Sequence, residues 1–458
     1  MTDDHTYDVA IIGAGVVGTA LGRQLARYRL RTVLVDRSAD VGTGTSKANT
    51  AILHTGFDTR PGSLESALVR RGHELLTVYA GRSGIALEKT GAVLVAWDED
   101  QTARLDDVVT KSRANGYRRA ERITLEDLYR REPALGTGAT GAVVIPDESI
   151  ICPWTTSIAY ATEAVGAGVE MRLGFEVTAV TRDTNAWLLR TTGGSLRADW
   201  VVNAAGLGSD LLNQRFGHDE FTIAPRRGQL IVFDKLARPL LSSILLPVPT
   251  ERTKGVLVAP TVYGNVLLGP TAEDVPDRED TATTAAGIGS LLDAGRRILP
   301  DLVNEEVTAT YAGLRAATEH PDYQITIHDR EHYACVGGIR STGLTASLAI
   351  AEHVVGGMGA GGLSLARAEH EPGIPRMPPL ADRATRPFED AVLVEGDPAY
   401  GHIMCFCERV TEGEVRDALR SPVPAVDLGG VRRRTRATNG RCQGFFCGAA
   451  IAAQLGSR

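Results

Sequence analysis

Short apolar runs alternate along this chain with stretches in which apolar residues return every three to four positions. The run Tyr7–Ile12 has strand length, a glycine turn follows it, and helical spacing covers Val16–Tyr28. Thr32–Val35 is a second strand-like run that ends on Asp36. Strand, glycine turn, helix and strand in that order predict a Rossmann-like βαβ opening. Further strand-like runs fall at Ala92–Ala96, Gly141–Ile145, Trp200–Asn203, Gln229–Phe233, Gly255–Val258 and Val266–Leu268. Helical patterns lie between them at Ser63–Tyr79, Trp154–Ala167 and Thr283–Ile298. Such mixing predicts an α/β domain interleaved with a sheet-rich α+β domain.

The pattern breaks near Gly356. The stretch Gly356–Gly362 holds five glycines, and Pro372, Pro375, Pro378, Pro379 and Pro387 follow among charged residues. Residues 356–399 read as an extended linker with little core of its own. Residues 400–458 form a small module, and a module of that size needs a staple. It carries Cys405-x-Cys407 and a second pair, Cys442 and Cys447. Thr411-Glu412-Gly413-Glu414 is a capping box that opens a helix, and the apolar run after Cys447 predicts another.

At 458 residues the chain exceeds one ordinary core, so two or three domains are expected. An apolar content of 43% with 23% charged residues is that of a globular protein. The net charge of −7 argues against a nucleic-acid partner, which calls for a basic face. No stretch approaches the roughly 20 apolar residues of a membrane span. The acidic Met1–His5 lacks a secretory pattern, so a cytoplasmic location is expected. Peripheral docking at the inner membrane through a partner, and an oligomer, stay open. Six cysteines are too few for a disulfide scaffold, and the isolated Cys152 and Cys335 read as buried packing residues.

Gly13, Gly15 and Gly18 carry the first specific chemistry. The first glycine permits the turn, the second lets backbone approach a pyrophosphate, and the third lets the helix pack on the strand. The helix N-terminus then presents unpaired N–H groups to phosphate. Asp36, 21 positions after Gly15, ends the next strand and can accept hydrogen bonds from a ribose. NAD and FAD both use such a turn. Val201–Gly206 is a strand ending in small residues that permit close approach of a cofactor. Gly337–Thr345 leads into a second helix whose N-terminus could face the flavin pyrimidine.

Residues 6–355 resemble the FAD-dependent oxidoreductases of the D-amino-acid-oxidase-like superfamily. The resemblance rests on four segments: Thr45-Ser46-Lys47-Ala48-Asn49-Thr50-Ala51-Ile52-Leu53-His54-Thr55-Gly56, Pro225-Arg226-Arg227-Gly228-Gln229, Gly269-Pro270-Thr271-Ala272-Glu273 and Tyr311-Ala312-Gly313-Leu314-Arg315. Within the superfamily the chain is similar to anaerobic-type glycerol-3-phosphate dehydrogenase large subunits and to L-2-hydroxyglutarate-oxidising relatives. It departs at Asp36, where glutamate is commoner, and at Leu207-Gly208-Ser209, which lacks a bulky aromatic often found there.

The resemblance implies FAD held by Gly13, Gly15, Val16, Gly18, Asp36, Arg37, Thr45, Ser46, Asn49, Val177, Ala205, Gly206, Gly338, Arg340, Gly343, Leu344 and Thr345. It implies a discontinuous FAD-binding domain (1–80, 150–212 and 310–355) and a substrate domain (81–149 and 213–309). Ser46, Asn49 and His54 would lie on a loop beneath the flavin. His54 is the candidate catalytic base, since histidine has a suitable pKa, and it could instead only position the flavin. Arg315 is the candidate grip for a substrate carboxylate or phosphate, which a guanidinium meets with paired donors. Arg252 and Lys254 are secondary candidates.

Four thiolates can hold zinc or an iron–sulfur cluster. Structural zinc sites usually use C-x(2–4)-C pairs, which Cys405-x-Cys407 does not match. Residues 401–455 resemble the bacterioferritin-associated-ferredoxin-like [2Fe-2S] module through Cys405-Phe406-Cys407-Glu408 and Cys442-Gln443-Gly444-Phe445-Phe446-Cys447-Gly448. That implies a [2Fe-2S] cluster on Cys405, Cys407, Cys442 and Cys447, with zinc or a redox disulfide the lesser alternatives. Arg432, Arg433, Arg434, Arg436 and Arg441 stand just before Cys442. They would ease reduction of an anionic cluster, form a solvated basic loop, or dock a partner.

The expected activity is dehydrogenation of a CH–OH group on a small anionic substrate, first glycerol 3-phosphate or another polyol phosphate. Hydride would pass to flavin N5, and electrons would leave through the cluster to a quinone-linked or protein acceptor. A 2-hydroxy acid such as L-2-hydroxyglutarate, a CH–NH substrate of the amino-acid or opine type, and a non-catalytic FAD-binding scaffold subunit are the alternatives.

Overall fold

The computed structural model describes residues 6–183, 186–249 and 255–456, so Arg252 and Lys254 lie outside the described residues. The strand Thr6–Ile12 is the centre of an eight-stranded sheet among the described residues. Thr32–Asp36 and then Glu170–Leu173 run parallel to it on one side, and Gly194–Asn203 on the other. Tyr333–Gly337 extends the parallel set beside Val201–Asn203, and Gln324–His328 closes that edge in the antiparallel sense. Val9–Ile12 and Val33–Val35 are buried. A strand covered on both faces reads as a continuous apolar run, which is why these two stand out in the sequence.

The helix Gly343–Ala360 packs against both Val16–Leu25 and Leu64–Ser83, and Pro153–Gly166 packs on Val16–Leu25. A second sheet, nine-stranded among the described residues, is built on Ile223–Phe233, which pairs along its length with Val307–Thr318. Mixed parallel and antiparallel pairing gives the α/β plus α+β class expected.

Several elements differ from the apolar pattern. The first helix ends at Leu25, not Tyr28. The central strand of the second sheet begins at Ile223, before the apolar run at Gln229, and the strand read at Gly255–Val258 is Leu257–Pro260. The last helix of the body runs on through Gly356–Ala360, which the glycine content had assigned to the linker. Here glycine serves contact: a Cβ at Gly357 would stand 2.0 Å from Ile327 Cδ1, and one at Gly359 2.4 Å from Leu365 Cδ1. The segment after it has little regular structure yet is strapped to the body. Ala368 N–H donates to the Arg27 carbonyl at 3.0 Å and Met377 N–H to that of Ser83 at 2.7 Å. Met377 and Leu380 are buried.

The C-terminal module pairs Ile403–Cys405 with Val410–Thr411 and adds the helices Glu412–Arg420, Leu428–Thr435 and Gly448–Gly456. Thr411 and Glu414 close the capping box read from the sequence. Val410, Val415, Leu419, Val431 and Ile451 give the module a core of its own. No helix among the described residues is long and apolar enough to cross a membrane.

The arginine run is not a solvated loop. Arg434 meets both oxygens of Asp40 at 2.7 and 2.8 Å, and Arg433 meets Oδ2 at 2.5 Å. The Asp40 side chain is 1% exposed. Arg441 forks onto Asp234 at 2.9 Å, and Arg386 pairs with the buried Glu414 at 2.7 Å. These contacts hold the module on the body.

Burial pushes the Asp40 carboxyl up, but the hydrogen bond and charge of Arg434, with those of Arg433, outweigh it and hold the pKa below the ordinary value. A carboxylate depressed in the native state contributes stability above its unfolded pKa and loses it as pH falls through the native one. Docking should therefore hold at neutral pH and weaken in acid. Asp40→Asn leaves two guanidiniums buried without their counter-ion. Denaturant unfolding at pH 7 should register a loss of about 3–5 kcal/mol, and the loss should shrink in acid.

Candidate active site and cluster site

The dinucleotide turn is set by two steric limits. Gly13 has φ +113°, and a Cβ there would lie 2.3 Å from the Ala204 carbonyl oxygen. A Cβ at Gly18 would lie 1.7 Å from the Gly13 carbonyl oxygen. The turn is thus pressed onto the end of Gly194–Asn203 and the helix onto the turn. At Gly15 a Cβ would stand 3.2 Å from Ser46 Oγ, in the space a phosphate needs. The helix that opens at Val16 has no side-chain cap of its own, and Ser46 Oγ accepts the Val16 N–H at 2.9 Å.

Asp36 accepts the Ala14 N–H at 2.6 Å through Oδ2 and the Ser38 N–H at 2.7 Å through Oδ1. Each carboxylate oxygen keeps a second acceptor position for a ribose hydroxyl. Arg37 is exposed and pairs with Glu279 at 3.3 Å. Val177 is buried, and its carbonyl accepts from Arg215 at 2.6 Å. Ala205 and Gly206, the latter at φ +57°, follow the strand end beside the turn.

The second helix N-terminus is built from Gly338 at φ +64° and the helix Gly343–Ala360, with Leu344 and Thr345 buried in its first turn. It too lacks a side-chain cap. Thr342 Oγ1 donates instead to Glu65 at 2.7 Å. Arg340 reaches the Pro321 carbonyl and lies 4.0 Å from Glu65, so it is engaged within the protein. Thr345 Oγ1 accepts the His54 N–H at 3.0 Å. One loop therefore touches both helix starts, Ser46 at the first and His54 at the second. Two positive helix ends joined by one loop fit a long anionic dinucleotide cofactor.

The strand Val307–Thr318 lies across that loop. Tyr311 Oη donates to the Asn49 carbonyl at 2.8 Å and Thr45 Oγ1 to the Leu314 carbonyl at 3.0 Å. A Cβ at Gly313 would stand 2.2 Å from the Ala48 carbonyl oxygen. Residues two apart share a face, so Arg315 follows Tyr311 and Gly313 on the loop side. Arg315 is half-buried, donates to the Thr271 carbonyl at 3.4 Å, and pairs with no carboxylate among the described residues. Its neighbours differ: Arg226 holds Asp274 at 2.6 Å, and Arg227 holds Asp280 at 2.6 Å and Glu273 at 2.7 Å. Burial, then the Arg226 charge, pull the Arg315 pKa down. A guanidinium so placed lacks a counter-ion that an anionic ligand would supply.

His54 Nδ1 accepts the Gly56 N–H at 2.8 Å, which puts the proton of the neutral ring on Nε2. Nε2 lies 3.2 Å from Asp58 Oδ1, and Nδ1 lies 3.6 Å from Glu148 Oε1. Glu148 is fully buried, and its Oε1 accepts both the N–H and the hydroxyl of Thr55 at 2.7 Å. Its Oε2 has no hydrogen-bond partner among the described residues. Sequence reasoning missed Asp58 and Glu148. Neither sits in a motif, and the one available signal was an acid bordering the apolar run Gly141–Ile145.

The four module cysteines form two pairs. Cys407 lies beside Cys442, and Cys405 beside Cys447. No three of these sulfurs lie within 4.8 Å of one another. A single tetrahedral zinc would bring all four to about 3.8 Å. Two pairs suit two irons. Cys442 sits in a nest of backbone N–H groups from Phe446, Gly444 and Phe445, of which Phe446 does most to lower its pKa. Burial pushes Cys447 up to about 11, a penalty that bound iron would offset.

A family model for FAD dependent oxidoreductases matches residues 8–356, and a BFD-like [2Fe-2S] binding domain matches residues 403–457. A glycerol 3-phosphate dehydrogenase of Caloramator mitchellensis is 34% identical over 446 residues, covering 96% of this chain and 92% of that protein. A mitochondrial L-2-hydroxyglutarate dehydrogenase of Arabidopsis thaliana is 26% identical, covering 76% and 82%. The dithionite-reduced L-α-glycerophosphate oxidase of Mycoplasma pneumoniae, solved with FAD bound, superimposes with a TM-score of 0.77 at 29% identity, covering 82% of this chain and 99% of that one. FAD and a [2Fe-2S] cluster are the cofactors of this fold and module.

Asp36→Ala should weaken FAD retention roughly 10–100-fold, the worth of a charge-assisted hydrogen bond, as read by flavin fluorescence on dilution. In protein prepared without oxygen, Cys442→Ala should lose iron by elemental analysis while its flavin content stays unchanged.

Proposed function

This chain belongs to the FAD dependent oxidoreductase family, and on that premise we propose that it oxidises the CH–OH group of glycerol 3-phosphate or a close polyol phosphate. The observation that carries the reading is Arg315, a half-buried guanidinium with no carboxylate partner among the described residues, on the strand face that meets loop 45–49. Paired N–H donors at that point suit a phosphate. The flavin, when bound, accepts hydride from the substrate carbon.

His54 orients the substrate oxygen in this reading. With Nδ1 held by the Gly56 N–H, the neutral ring has no free lone pair, and its Nε2 N–H would be shared between Asp58 Oδ1 and the substrate oxygen. Acting as base would require that contact to break. Asp58, at 3.2 Å from Nε2, fixes the ring and balances any positive charge on it. The two helix N-termini favour negative charge where a reduced cofactor would carry it. A cluster held by Cys405, Cys407, Cys442 and Cys447 would pass electrons singly to an acceptor, quinone-linked or protein.

A 2-hydroxy acid is the second reading. A guanidinium binds carboxylate as well as phosphate, and the Arabidopsis relative acts on such a substrate by its name. Anaerobic titration separates the two: bleaching of the flavin by glycerol 3-phosphate and not by L-2-hydroxyglutarate supports the first reading. Bleaching by secondary amines alone would remove both.

Arg315→Met should raise KM for glycerol 3-phosphate by about 100-fold or more, the loss of a paired charge-assisted contact, with the flavin spectrum unchanged. Initial rates with a dye acceptor measure it.

A further inference from the structure

We propose that a stack of Arg436, Tyr263 and Trp154 positions the cluster module for electron transfer from the flavin. The inference rests on the reading of the cluster as the exit for flavin electrons.

The contacts run without a break from one cofactor site to the other. Glu408 follows the cluster ligand Cys407, and its Oε2 accepts from Arg436 Nε at 3.2 Å with both side chains buried. Arg436 ends the helix Leu428–Thr435 at φ +74°, a left-handed conformation that a side chain rarely adopts. That turn aims its guanidinium into the body. There Nη2 donates to Asn265 at 3.2 Å, and the guanidinium carbon lies 4.0 Å from the centre of the Tyr263 ring and 5.9 Å from that of Trp154. Trp154 stacks on Tyr263 with ring centres 5.2 Å apart and planes 19° off parallel. The Tyr263 hydroxyl meets Cys152 Sγ at 2.8 Å, which fixes the ring. Trp154 Nε1 donates to the Lys47 carbonyl at 3.1 Å. Lys47 ends the short turn Thr45–Lys47, whose Ser46 touches the start of the dinucleotide helix.

Other contacts of the module include the ion pairs at Asp40, Asp234 and Glu414. They hold the module on the body. The stack differs in joining the ligand loop to the loop at the cofactor turn through packed, polarisable groups. Electron tunnelling falls exponentially with distance, and faster across gaps than through packed atoms. In the step itself one electron leaves the reduced flavin and one ferric iron becomes ferrous. The second electron follows once the external one-electron acceptor has reoxidised the cluster, and the flavin protons go to solvent.

The test uses the full chain with both cofactors, mixed anaerobically with glycerol 3-phosphate in a stopped-flow instrument. Flavin bleaching reports the first step, and the iron–sulfur bands and low-temperature EPR report the second. Trp154→Leu and Arg436→Met should leave bleaching at the parent rate and slow cluster reduction about tenfold or more, as expected for a small misplacement of reacting centres. Trp154→Phe, which keeps a ring, should stay close to the parent. Iron content confirms that each variant is loaded; should Arg436→Met lose its cluster, Trp154→Leu carries the test from the body side. Cluster reduction at the parent rate in loaded Trp154→Leu overturns the proposal. Photoreduction of the flavin measures the same transfer without substrate, so failure of glycerol 3-phosphate to bleach the flavin would overturn the substrate reading alone.

Discussion

The Gly13 carbonyl leaves no room for a side chain at residue 18, and the fold of the body follows from that contact. It presses the first helix onto the central strand and aims its open N-terminus along the sheet edge. A methyl group at Gly18 would lift the helix off the turn, and one at Gly13 would push the turn off Ala204. The loop that crosses this helix start would lose its Ser46 contact, and with it the register against Val307–Thr318. The dinucleotide turn and the strand Val307–Thr318 are therefore linked through one close approach of backbone to backbone.

Charge arranges the rest. The arginines before Cys442 stand where a solvated loop or a tuning charge for the cluster was expected. Asp40, Asp234 and Glu408 neutralise four of them at the seam between module and body. Arg315 is the contrast. Its sequence neighbours on the paired strand, Arg226 and Arg227, each have a carboxylate, and it has none among the described residues. A half-buried guanidinium beside the cofactor loop, left without a counter-ion, is a place where an outside anion would fit.

What the sequence reveals is what is decided locally. The glycine turn, the buried strands Ala92–Ala96 and Gly141–Ile145, and the capping box at Thr411 depend on residues within a few positions of one another. Helix ends were less legible, because Gly356–Ala360 stays helical through contacts with Ile327 and Leu365 that local composition does not announce. The docking of the module was not legible at all: Asp40 and Arg433 are 393 positions apart. Within the site, the loop Thr45–Gly56 could be found as a unit. The surroundings of its histidine could not, since Glu148 arrives with the strand Ser149–Ile151, which pairs with Ile52–Leu53 from far along the chain.

Phe406, Phe445 and Phe446 are 74%, 84% and 75% exposed, and Cys407 stands among the solvent-facing residues of the same loops. Iron held by this thiolate would therefore be open to solvent on one side. Dioxygen and chelators would meet it there first. The tint of a preparation, brown with the cluster and lemon without it, would become a record of how it was handled.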